Sequence, residues 1–336
     1  MIPCSPARLE SERWQRDLAD AVTDPAELLH LLDLDHTQMP QIQMAGASFP
    51  LRVTRYFVSL MRTGDPGDPL LNQVLPLARE EIPVTGYFDD PVDDMAASRQ
   101  HGILKKYQGR ALMVTTGACA IHCRYCFRRH YPYSAESVLR HWKSAMETLR
   151  DLPDTTELIL SGGDPLSLSD ARLEDLLAEA DRLPNLQRLR IHTRLPVVLP
   201  RRITEQFTKL LSRSRLQMVL VIHANHPHEV TLELGRALAR LAAAGVTLLN
   251  QSVLLKSIND DADTLASLSE SLFGIGVMPY YLHLLDPVAG AAHFDVPLAR
   301  AAGLMGELRE RLPGYLVPRM VRELPGAPYK TPISGL

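Results

Sequence analysis

Short apolar runs alternate with amphipathic segments over the last two thirds of the chain. The runs are ALMVTT (111–116), ELILSGG (157–163), RLRIHT (188–193), QMVLVIHA (217–224), VTLLNQSVLL (246–255) and VMPYYLHLL (277–285). The segments between them repeat apolar residues at a period near 3.6 and often begin with Ser, Thr or Asp, as capped helices do. This alternation predicts βαβ units around a parallel sheet. Six units are fewer than the eight of a closed barrel, so a partial barrel and an open sheet both fit.

The N-terminal third follows a different pattern. We expect a helix over 8–33, whereas 36–110 is rich in Pro and Gly and holds only short helical pieces such as RYFVSLMR. We therefore divide the chain into a mostly helical, irregular extension (1–85) and an α/β unit (86–336). A further apolar run at 316–324 is the candidate for a last strand.

Charge and hydropathy narrow the class of protein. Lys plus Arg (36) nearly balance Asp plus Glu (39), and a net charge of −3 gives no reason to expect a nucleic-acid partner. The sequence has no apolar run near the roughly 18–20 residues of a membrane helix, and no signal-peptide core at its start. We expect a cytoplasmic protein with no membrane partner, in which clustered thiols stay reduced.

Three of the four cysteines lie in one short segment, GACAIHCRYCFRRHY (117–131). They are Cys119, Cys123 and Cys126, spaced C-x3-C-x2-C. The segment follows the first predicted strand of the array. Ligands of parallel α/β folds gather at the carboxyl ends of the strands, so these thiols are expected at the functional edge.

Three thiols are one too few for a structural zinc site, which needs four ligands. His122 or His130 could supply the fourth, although closure from one short loop would be strained. An iron–sulfur cluster held by three thiolates leaves one iron open to a small molecule. Cys4 is remote in sequence and is most simply an incidental thiol.

The cysteine spacing, with the aromatic Tyr125 in its second interval, resembles the radical S-adenosylmethionine superfamily. SGGDP (161–165) resembles the glycine motif of that superfamily, which meets the amino group of S-adenosylmethionine. The resemblance implies a partial (β/α)6 parallel barrel and a [4Fe-4S] cluster on the three cysteines. It also implies S-adenosylmethionine contacts from four residues, Ser161, Gly162, Gly163 and Asp164.

Longer segments narrow the resemblance further. CRYCFRRHY, LILSGGDPL, HANHPHE, GVTLLNQSVLLKSIND and PYYLHLLD, in this order, resemble the lysine 2,3-aminomutase family over about residues 85–332. WQRDLADAVTDPAELLHLL and FPLRVTRYFVSLMRTGDPGDPLLNQVLP resemble its short bacterial subgroup, whose members make β-lysine for elongation factor P. The end of the chain soon after Lys330 is also expected of that subgroup.

That family implies pyridoxal 5′-phosphate as a third cofactor. On its own, Lys330 in the turn-rich VRELPGAPYKTPI would be a solvated side chain. The resemblance implies instead that Lys330 forms a Schiff base with the pyridoxal aldehyde. It also implies that Arg110, at the start of the first strand, faces the pyridoxal.

The family resemblance also assigns the substrate-binding residues. It implies that Arg128 holds the substrate carboxylate, a task that suits a bidentate guanidinium, and that Asp90 braces this arginine. Asp286 and Glu323 are implied to hold the far ammonium of the substrate, although lysine mutases of the family carry Asp at the second place. Each of these residues also has an ordinary interpretation as a surface, loop or strand-edge charge.

The sequence therefore predicts an isomerase that moves the amino group of free L-lysine from carbon 2 to carbon 3. The implied partners are an external one-electron reductant, an elongation factor P lysyl ligase that receives the product, and further copies of this chain in a homo-oligomer. The same shift on arginine or glutamate remains an alternative, although two acidic residues argue against glutamate. From another class, a zinc-binding protein that only binds a partner also remains open.

Overall fold

A single ten-stranded sheet carries the fold in a computed structural model that describes residues 6–35, 37, 39, 41–42, 48–100, 102–138 and 141–333. Strand order in the sheet follows chain order. The strands are β1 (Ser98–Gln100), β2 (Ile103–Leu104), β3 (Arg110–Thr116), β4 (Glu157–Gly162), β5 (Arg188–Thr193), β6 (Gln217–His223), β7 (Thr247–Val253), β8 (Met278–His283), β9 (Arg319–Arg322) and β10 (Thr331–Pro332).

Strands β3 to β9 run parallel, each paired with the next. The antiparallel strands β1 and β2 extend one edge, and β10 pairs antiparallel with β9 at the other. Within the described part of the chain no strand pair joins these two edges, and residues of the six strands β3 to β8 line one cavity, so the predicted partial barrel is confirmed. The run at 316–324 supplies β9, a seventh parallel strand.

Eleven helices accompany the sheet among the described residues. They are α1 (Pro6–Ala19), α2 (Pro25–Leu31), α3 (Arg55–Val58), α4 (Tyr133–Glu136), α5 (Trp142–Arg150), α6 (Asp170–Asp181), α7 (Leu195–Val198), α8 (Glu205–Arg213), α9 (Leu232–Ala243), α10 (Ala262–Gly274) and α11 (Leu298–Arg311). The expected N-caps are present on four of them, where Ser169, Thr204, Thr231 and Asp261 accept backbone N–H groups. None of the described helices combines the length and apolar character of a membrane span.

The N-terminal region differs from the prediction in two places. The helix expected over 8–33 is broken after Ala19, because Val22 pairs with Val53 in an isolated bridge and Asp24 caps a new helix at Pro25. The segment 36–110, expected to be irregular, contains the short strands β1 and β2. Local periodicity predicted the helical residues, but a contact with a distant strand-like segment decided where the helix stops.

The extension and the barrel share one hydrophobic core. Leu28, Phe57 and Leu71 of the extension belong to the same cluster of buried side chains as Leu160 of β4 and Leu220 of β6. All five side chains are fully buried. Burial of apolar side chains is a main source of folding free energy, and here it stabilises both parts of the chain. A division of the chain at residue 85 stays a prediction about its organisation.

Candidate active site

A cavity of about 450 Å³ opens at the carboxyl ends of the parallel strands. Every side chain predicted to bind a cofactor or substrate lines it except Asp90. The lining residues among them are Arg110, Cys119, Cys123, Cys126, Arg128, Ser161, Gly162, Gly163, Asp164, Asp286, Glu323 and Lys330. The structure therefore brings together in one place residues that are up to 220 positions apart in the sequence.

The N-terminal extension holds the cysteine loop from outside. Glu80 accepts hydrogen bonds from Arg124 Nε at 2.9 Å and from Arg129 Nη2 at 2.9 Å, and all three side chains are shielded from solvent. Two backbone hydrogen bonds also join the loop to the extension, from His122 N to Arg52 O and from Arg124 N to Gln73 O. The loop is thus clamped between the barrel and residues that precede it by about 40 positions or more.

The three cysteines of the loop form no disulfide with one another and are half-buried. Burial raises the pKa of the Cys119 thiol well above its ordinary value and that of Cys126 to about 11. Metal coordination deprotonates a thiol outright, and soft sulfur donors suit iron–sulfur clusters. Three sulfur donors on one wall of a cavity therefore fit the predicted cluster. Cys4 lies outside the described residues.

The imidazoles proposed as a fourth zinc ligand are engaged elsewhere. His122 stacks on Phe49, and its Nδ1 lies 2.9 Å from Pro50 O, while His130 Nε2 lies 3.3 Å from Ala289 O. Among the described side chains no group of three or more His, Cys, Asp or Glu could hold a single metal ion. The thiolates of a cubane need not meet at one ion, since each binds a different iron.

The end of β4 forms a narrow cradle beside this loop. Gly162 has φ +122°, and a Cβ there would lie 2.7 Å from Thr116 O. A Cβ at Gly163 would collide with the carbonyl oxygen of Ala118, next to Cys119. Only glycine permits so close an approach of two backbones, which exposes peptide groups to the cavity.

Asp164 supports the cradle through its carboxylate. Its oxygens accept hydrogen bonds from Thr193 Oγ1 at 2.6 Å and from the backbone N–H groups of Arg194, Leu195 and Leu166 at 2.8–3.0 Å. Burial raises the pKa of Asp164 in spite of these donors. This carboxylate therefore fixes the exits of β4 and β5 together, and the contact of Asp164 with a cofactor stays a prediction.

Arg128 is buried and has a different acidic partner from the one expected. Its Nε donates to Asp94 Oδ2 at 2.6 Å, and its Nη1 donates to Ser161 Oγ at 2.9 Å. Asp90 instead accepts the backbone N–H groups of Asp94 and Met95 at 2.9 and 3.0 Å. Asp90 was expected to brace Arg128, but Asp94 does so in the structure. Asp90 instead caps the turn that places Asp94 beside Arg128. Both residues lie in the acidic run FDDPVDD, and sequence spacing alone did not show which of them contacts Arg128.

Glu323 lies between two ammonium groups. Lys330 Nζ is 2.6 Å from one carboxylate oxygen, and Lys106 Nζ is 3.1 Å from the other. Lys106 also lies 2.6 Å from Asp94, so it links Glu323 to the carboxylate that braces Arg128. Burial opposes ionisation, but Lys330 and Lys106 together lower the pKa of Glu323 to about 2. Sequence reasoning missed Lys106, whose signal was its place four residues before β3, the first barrel strand.

Asp286 differs from Glu323 although both face the same cavity. Its Oδ1 is shielded from solvent and has no hydrogen-bond partner among the described residues. Burial raises its pKa to about 7, and the nearby Lys330 only partly offsets this effect. Among the described residues, Asp286 thus forms no ion pair, whereas Glu323 in the same cavity forms two.

Polar side chains along the inner face of the barrel complete the cavity. Arg190 pairs with Glu157 at 2.6 Å, and Arg110 lies over the Tyr107 ring at 5.0 Å. The remaining inward polar residues are His192, His223, Gln251, Tyr281 and His283. Burial lowers the pKa of His223 to about 3 and those of His192 and His283 well below their ordinary values, so all three imidazoles stay neutral. The sequence signal for these inward-facing polar side chains was the alternation of polar residues in RLRIHT.

The chain is similar to known proteins in sequence and in fold. Residues 113–268 match the radical SAM superfamily. The chain is 49% identical over 328 residues to an L-lysine 2,3-aminomutase of Escherichia coli (strain K12), covering 96% of this chain and 95% of that protein. It is 43% identical over 332 residues to an L-lysine 2,3-aminomutase of Haemophilus influenzae, covering 98% of each. A crystal structure of a radical SAM methyltransferase from Sphaerobacter thermophilus is similar with a TM-score of 0.45 and 18% identity, over 66% of this chain and 68% of that one.

Proposed function

Because this chain belongs to the radical SAM family of L-lysine 2,3-aminomutases, we propose that it converts L-lysine to β-lysine by moving the α-amino group to carbon 3. The observation that carries the proposal is one cavity with a buried guanidinium, Arg128, and two carboxyl groups, Asp286 and Glu323. Such a cavity matches an amino acid with a carboxylate at one end and an ammonium at the other. The enzyme is an isomerase of this family.

The cofactors of this family are a [4Fe-4S] cluster, S-adenosylmethionine and pyridoxal 5′-phosphate. When bound, they supply a substrate radical and an aldehyde that carries the migrating amine. Cys119, Cys123 and Cys126 hold the cluster, and Ser161, Gly162 and Gly163 shape the S-adenosylmethionine site beside it. Lys330 binds the pyridoxal aldehyde, and Arg110 lies at the same cavity wall.

Arg128 orients the substrate carboxylate. Its guanidinium is fixed by Asp94 and Ser161 before substrate arrives, so little side-chain entropy is lost on binding. Asp94 also neutralises this buried cation. The fixed arginine places the α-carbon and its neighbour at a constant distance from the other cavity walls.

Asp286 and Glu323 receive the side-chain ammonium of lysine. In the structure Glu323 is paired with Lys330, the residue that would hold the pyridoxal aldehyde and would then no longer offer this ammonium to Glu323. The substrate ammonium then takes the place of the Lys330 ammonium beside Glu323 and supplies Asp286 with its missing counterion. A glutamate side chain would instead bring a third carboxylate to this corner, which favours lysine.

Turnover by anaerobically purified protein tests the proposal. With S-adenosylmethionine, pyridoxal phosphate and a one-electron reductant, we expect L-lysine to give β-lysine, and L-glutamate and L-arginine to give far less product. Mass spectrometry after derivatisation separates the isomers. A colourless zinc-containing protein without turnover would support the partner-binding alternative and overturn the enzyme.

Borohydride reduction of the loaded protein tests the part assigned to Lys330. The reagent fixes the pyridoxyl group on the lysine that carries it, and peptide mapping then locates the label. We expect the label on Lys330. A label on Lys256, the lysine at the end of the β7 exit, would contradict the assignment.

The remaining parts of the proposal concern the cellular setting. We place the enzyme in the cytoplasm, where its half-buried thiols stay reduced, with an external one-electron reductant as electron source. The resemblance of the N-terminal segments to the short bacterial subgroup favours transfer of the product to an elongation factor P lysyl ligase, and we propose that the chain assembles into a homo-oligomer. A strain that lacks this gene should lose β-lysyl modification of the factor, and sedimentation of the purified chain measures the oligomer.

A further inference from the structure

Arg194 follows β5 directly and is 6% exposed. Its Nη1 donates to Cys123 Sγ at 2.8 Å and to the Tyr125 hydroxyl at 2.6 Å. Its Nη2 donates to Glu229 Oε2 at 3.0 Å and to Gln73 Oε1 at 2.7 Å. A permanent cation thus lies in hydrogen-bond contact with one of the three cysteine sulfurs.

The contact is confined to Cys123. Among the hydrogen bonds between described side chains, no charged group donates to the sulfur of Cys119 or of Cys126. The three thiolates of the cluster site therefore differ in their electrostatic surroundings. The described hydrogen-bond partners of Arg194 do not include Arg128, Asp286 or Glu323, the residues proposed to bind the substrate.

A rigid network holds the guanidinium in this position. Glu229 is fully buried, and its Oε1 accepts the backbone N–H groups of Asn225 and His226 at 3.0 and 3.1 Å. Gln73 of the N-terminal extension donates to the same oxygen at 3.0 Å. The carboxylate cannot turn away from Arg194 without breaking these bonds, so the arginine is fixed before any cluster is inserted.

We propose that Arg194 is a positioning residue that raises the reduction potential of the cluster by donating to Cys123. The proposal rests on the cluster assigned under the proposed function. Reduction from [4Fe-4S]2+ to [4Fe-4S]1+ takes one electron from the external reductant and adds one negative charge to the cluster and its thiolates. No proton moves and no bond breaks in this step. A cation with an N–H···S hydrogen bond stabilises the extra negative charge, and such bonds set cluster potentials.

Reduction potentials of anaerobically purified variants test the proposal. Arg194→Gln should make the one-electron reduction equilibrium on the order of tenfold less favourable, which is a downward shift of about 59 mV. Arg194→Lys keeps the charge and should restore part of the shift. Glu229→Gln removes the anion that neutralises Arg194 and should shift the potential upward. The titration is followed by absorption and by the electron paramagnetic resonance signal of the reduced cluster.

Arg202→Gln is the matched control. Arg202 is fully buried, pairs with Asp170 at 2.9 Å and does not line the cavity. Its loss should lower the thermal midpoint of the protein and leave the potential unchanged. A merely structural role of Arg194 predicts the same behaviour for Arg194→Gln.

The outcomes separate this inference from the proposed function. Full iron content in Arg194→Gln with an unchanged potential overturns the inference and leaves the enzyme intact. A parent protein that binds no cluster overturns both. If Arg194→Gln does not fold, Arg194→Lys and Glu229→Gln decide, since a downward or absent shift in Glu229→Gln contradicts the proposal.

Discussion

Two carboxyl groups of the same cavity respond in opposite ways to their surroundings. Lys330 and Lys106 lower the pKa of Glu323 to about 2 against the effect of burial. Burial raises the pKa of Asp286 to about 7, because its oxygen lacks a partner among the described residues. Glu323 is therefore anionic throughout the physiological range, whereas Asp286 changes its charge close to neutral pH.

Lysine binding should depend on pH through Asp286. Substrate ammonium binds the ionised form, so below about pH 7 the carboxyl must lose its proton and kcat/KM should rise with pH, by at most ~10-fold per unit. Above that pH the gain should level off. Asp286→Asn should remove this slope and lower kcat/KM by roughly 30-fold or more, since losing one partner of a buried charge pair costs ~2–5 kcal/mol. A pH slope that persists in Asp286→Asn would belong to another group. Glu323 is ionised throughout this pH range, so Glu323→Gln should retain the slope.

Asp94 and Asp90 make a matched pair for the carboxylate end of the substrate. Asp94→Asn leaves buried Arg128 without its counterion, so turnover of lysine should fall by roughly 30-fold or more. Asp90→Asn changes only the acceptor of two backbone N–H groups and should cost about 0.5–2 kcal/mol of folding free energy, with little change in KM. Steady-state kinetics and thermal unfolding of both variants measure the difference. Equal losses of turnover would restore Asp90 to the site.

At the scale of elements, the site depends on one loop and one strand exit that are held from two sides. Glu80 of the extension clamps the cysteine loop through Arg124 and Arg129. The glycines after β4 let the backbone approach that loop from the barrel side. Both devices set the position of the cysteine loop relative to the barrel.

Loss of the Glu80 charge should loosen the cysteine loop. Glu80→Gln leaves two buried arginines without a counterion, and breaking a buried pair costs ~3–5 kcal/mol. We expect a lower thermal midpoint and less iron per chain after anaerobic reconstitution. Glu81→Gln is the control, because among the described residues the hydrogen bonds of Glu81 go to Ser48 near the surface, and it should keep both values near those of the parent. Unchanged iron content in Glu80→Gln would show that the loop does not need this clamp.

Gly163→Ala should displace the S-adenosylmethionine site. The new methyl group would collide with the backbone of Ala118, so β4 and the cysteine loop must separate. Equilibrium dialysis should show weaker S-adenosylmethionine binding by the reconstituted protein. Gly303→Ala in α11 meets no atom within 4 Å, and should leave binding unchanged while stabilising the helix by about 0.5–1 kcal/mol. Parent-level binding by Gly163→Ala would rule out a tight cradle.

At the scale of the whole molecule, one hydrophobic core joins the N-terminal extension to the barrel. The cluster of buried side chains runs from Val22 through the extension into the strands and helices of the α/β unit. Two further clusters lie under the last helices and around Tyr125. The extension also donates Gln73 and Glu80 to networks beside the cysteines, so it contributes both stability and site geometry.

Thermal unfolding of the apoprotein should show the extension and barrel losing structure together. Phe57 is fully buried in the shared core, and Phe57→Ala should cost ~3–5 kcal/mol. If the core unfolds cooperatively, this variant should lower two midpoints equally. One is the midpoint of secondary structure, followed by circular dichroism, and the other is that of aromatic packing, followed by near-ultraviolet absorption. Leu232→Ala, at a side chain that is 79% exposed, should have little effect. Two separate transitions, only one of them sensitive to Phe57, would indicate independent domains.

The sequence by itself determined the order of the barrel elements and the edge of the sheet that carries the site. Apolar periodicity is a local property, and the ends of parallel strands must lie at one edge, so polar strand exits predicted where ligands gather. The count and spacing of the cysteines favoured an iron–sulfur cluster with one open iron, whereas SGGDP indicated its cofactor through the resemblance to the radical S-adenosylmethionine superfamily. Lys330 needed the family resemblance, since its own turn carries no such local signal.

Only the tertiary structure decided which charges face one another. Asp94 rather than Asp90 reaches Arg128, Lys106 joins Asp94 to Glu323, and Arg194 reaches Cys123 across 71 positions of chain. Helix α1 ends where Val22 meets Val53, a contact outside any local pattern. The opposite pKa shifts of Asp286 and Glu323 have the same origin. A side chain's charge depends on its burial and on counterions that folding brings from distant segments, and no periodicity in the sequence records those distances.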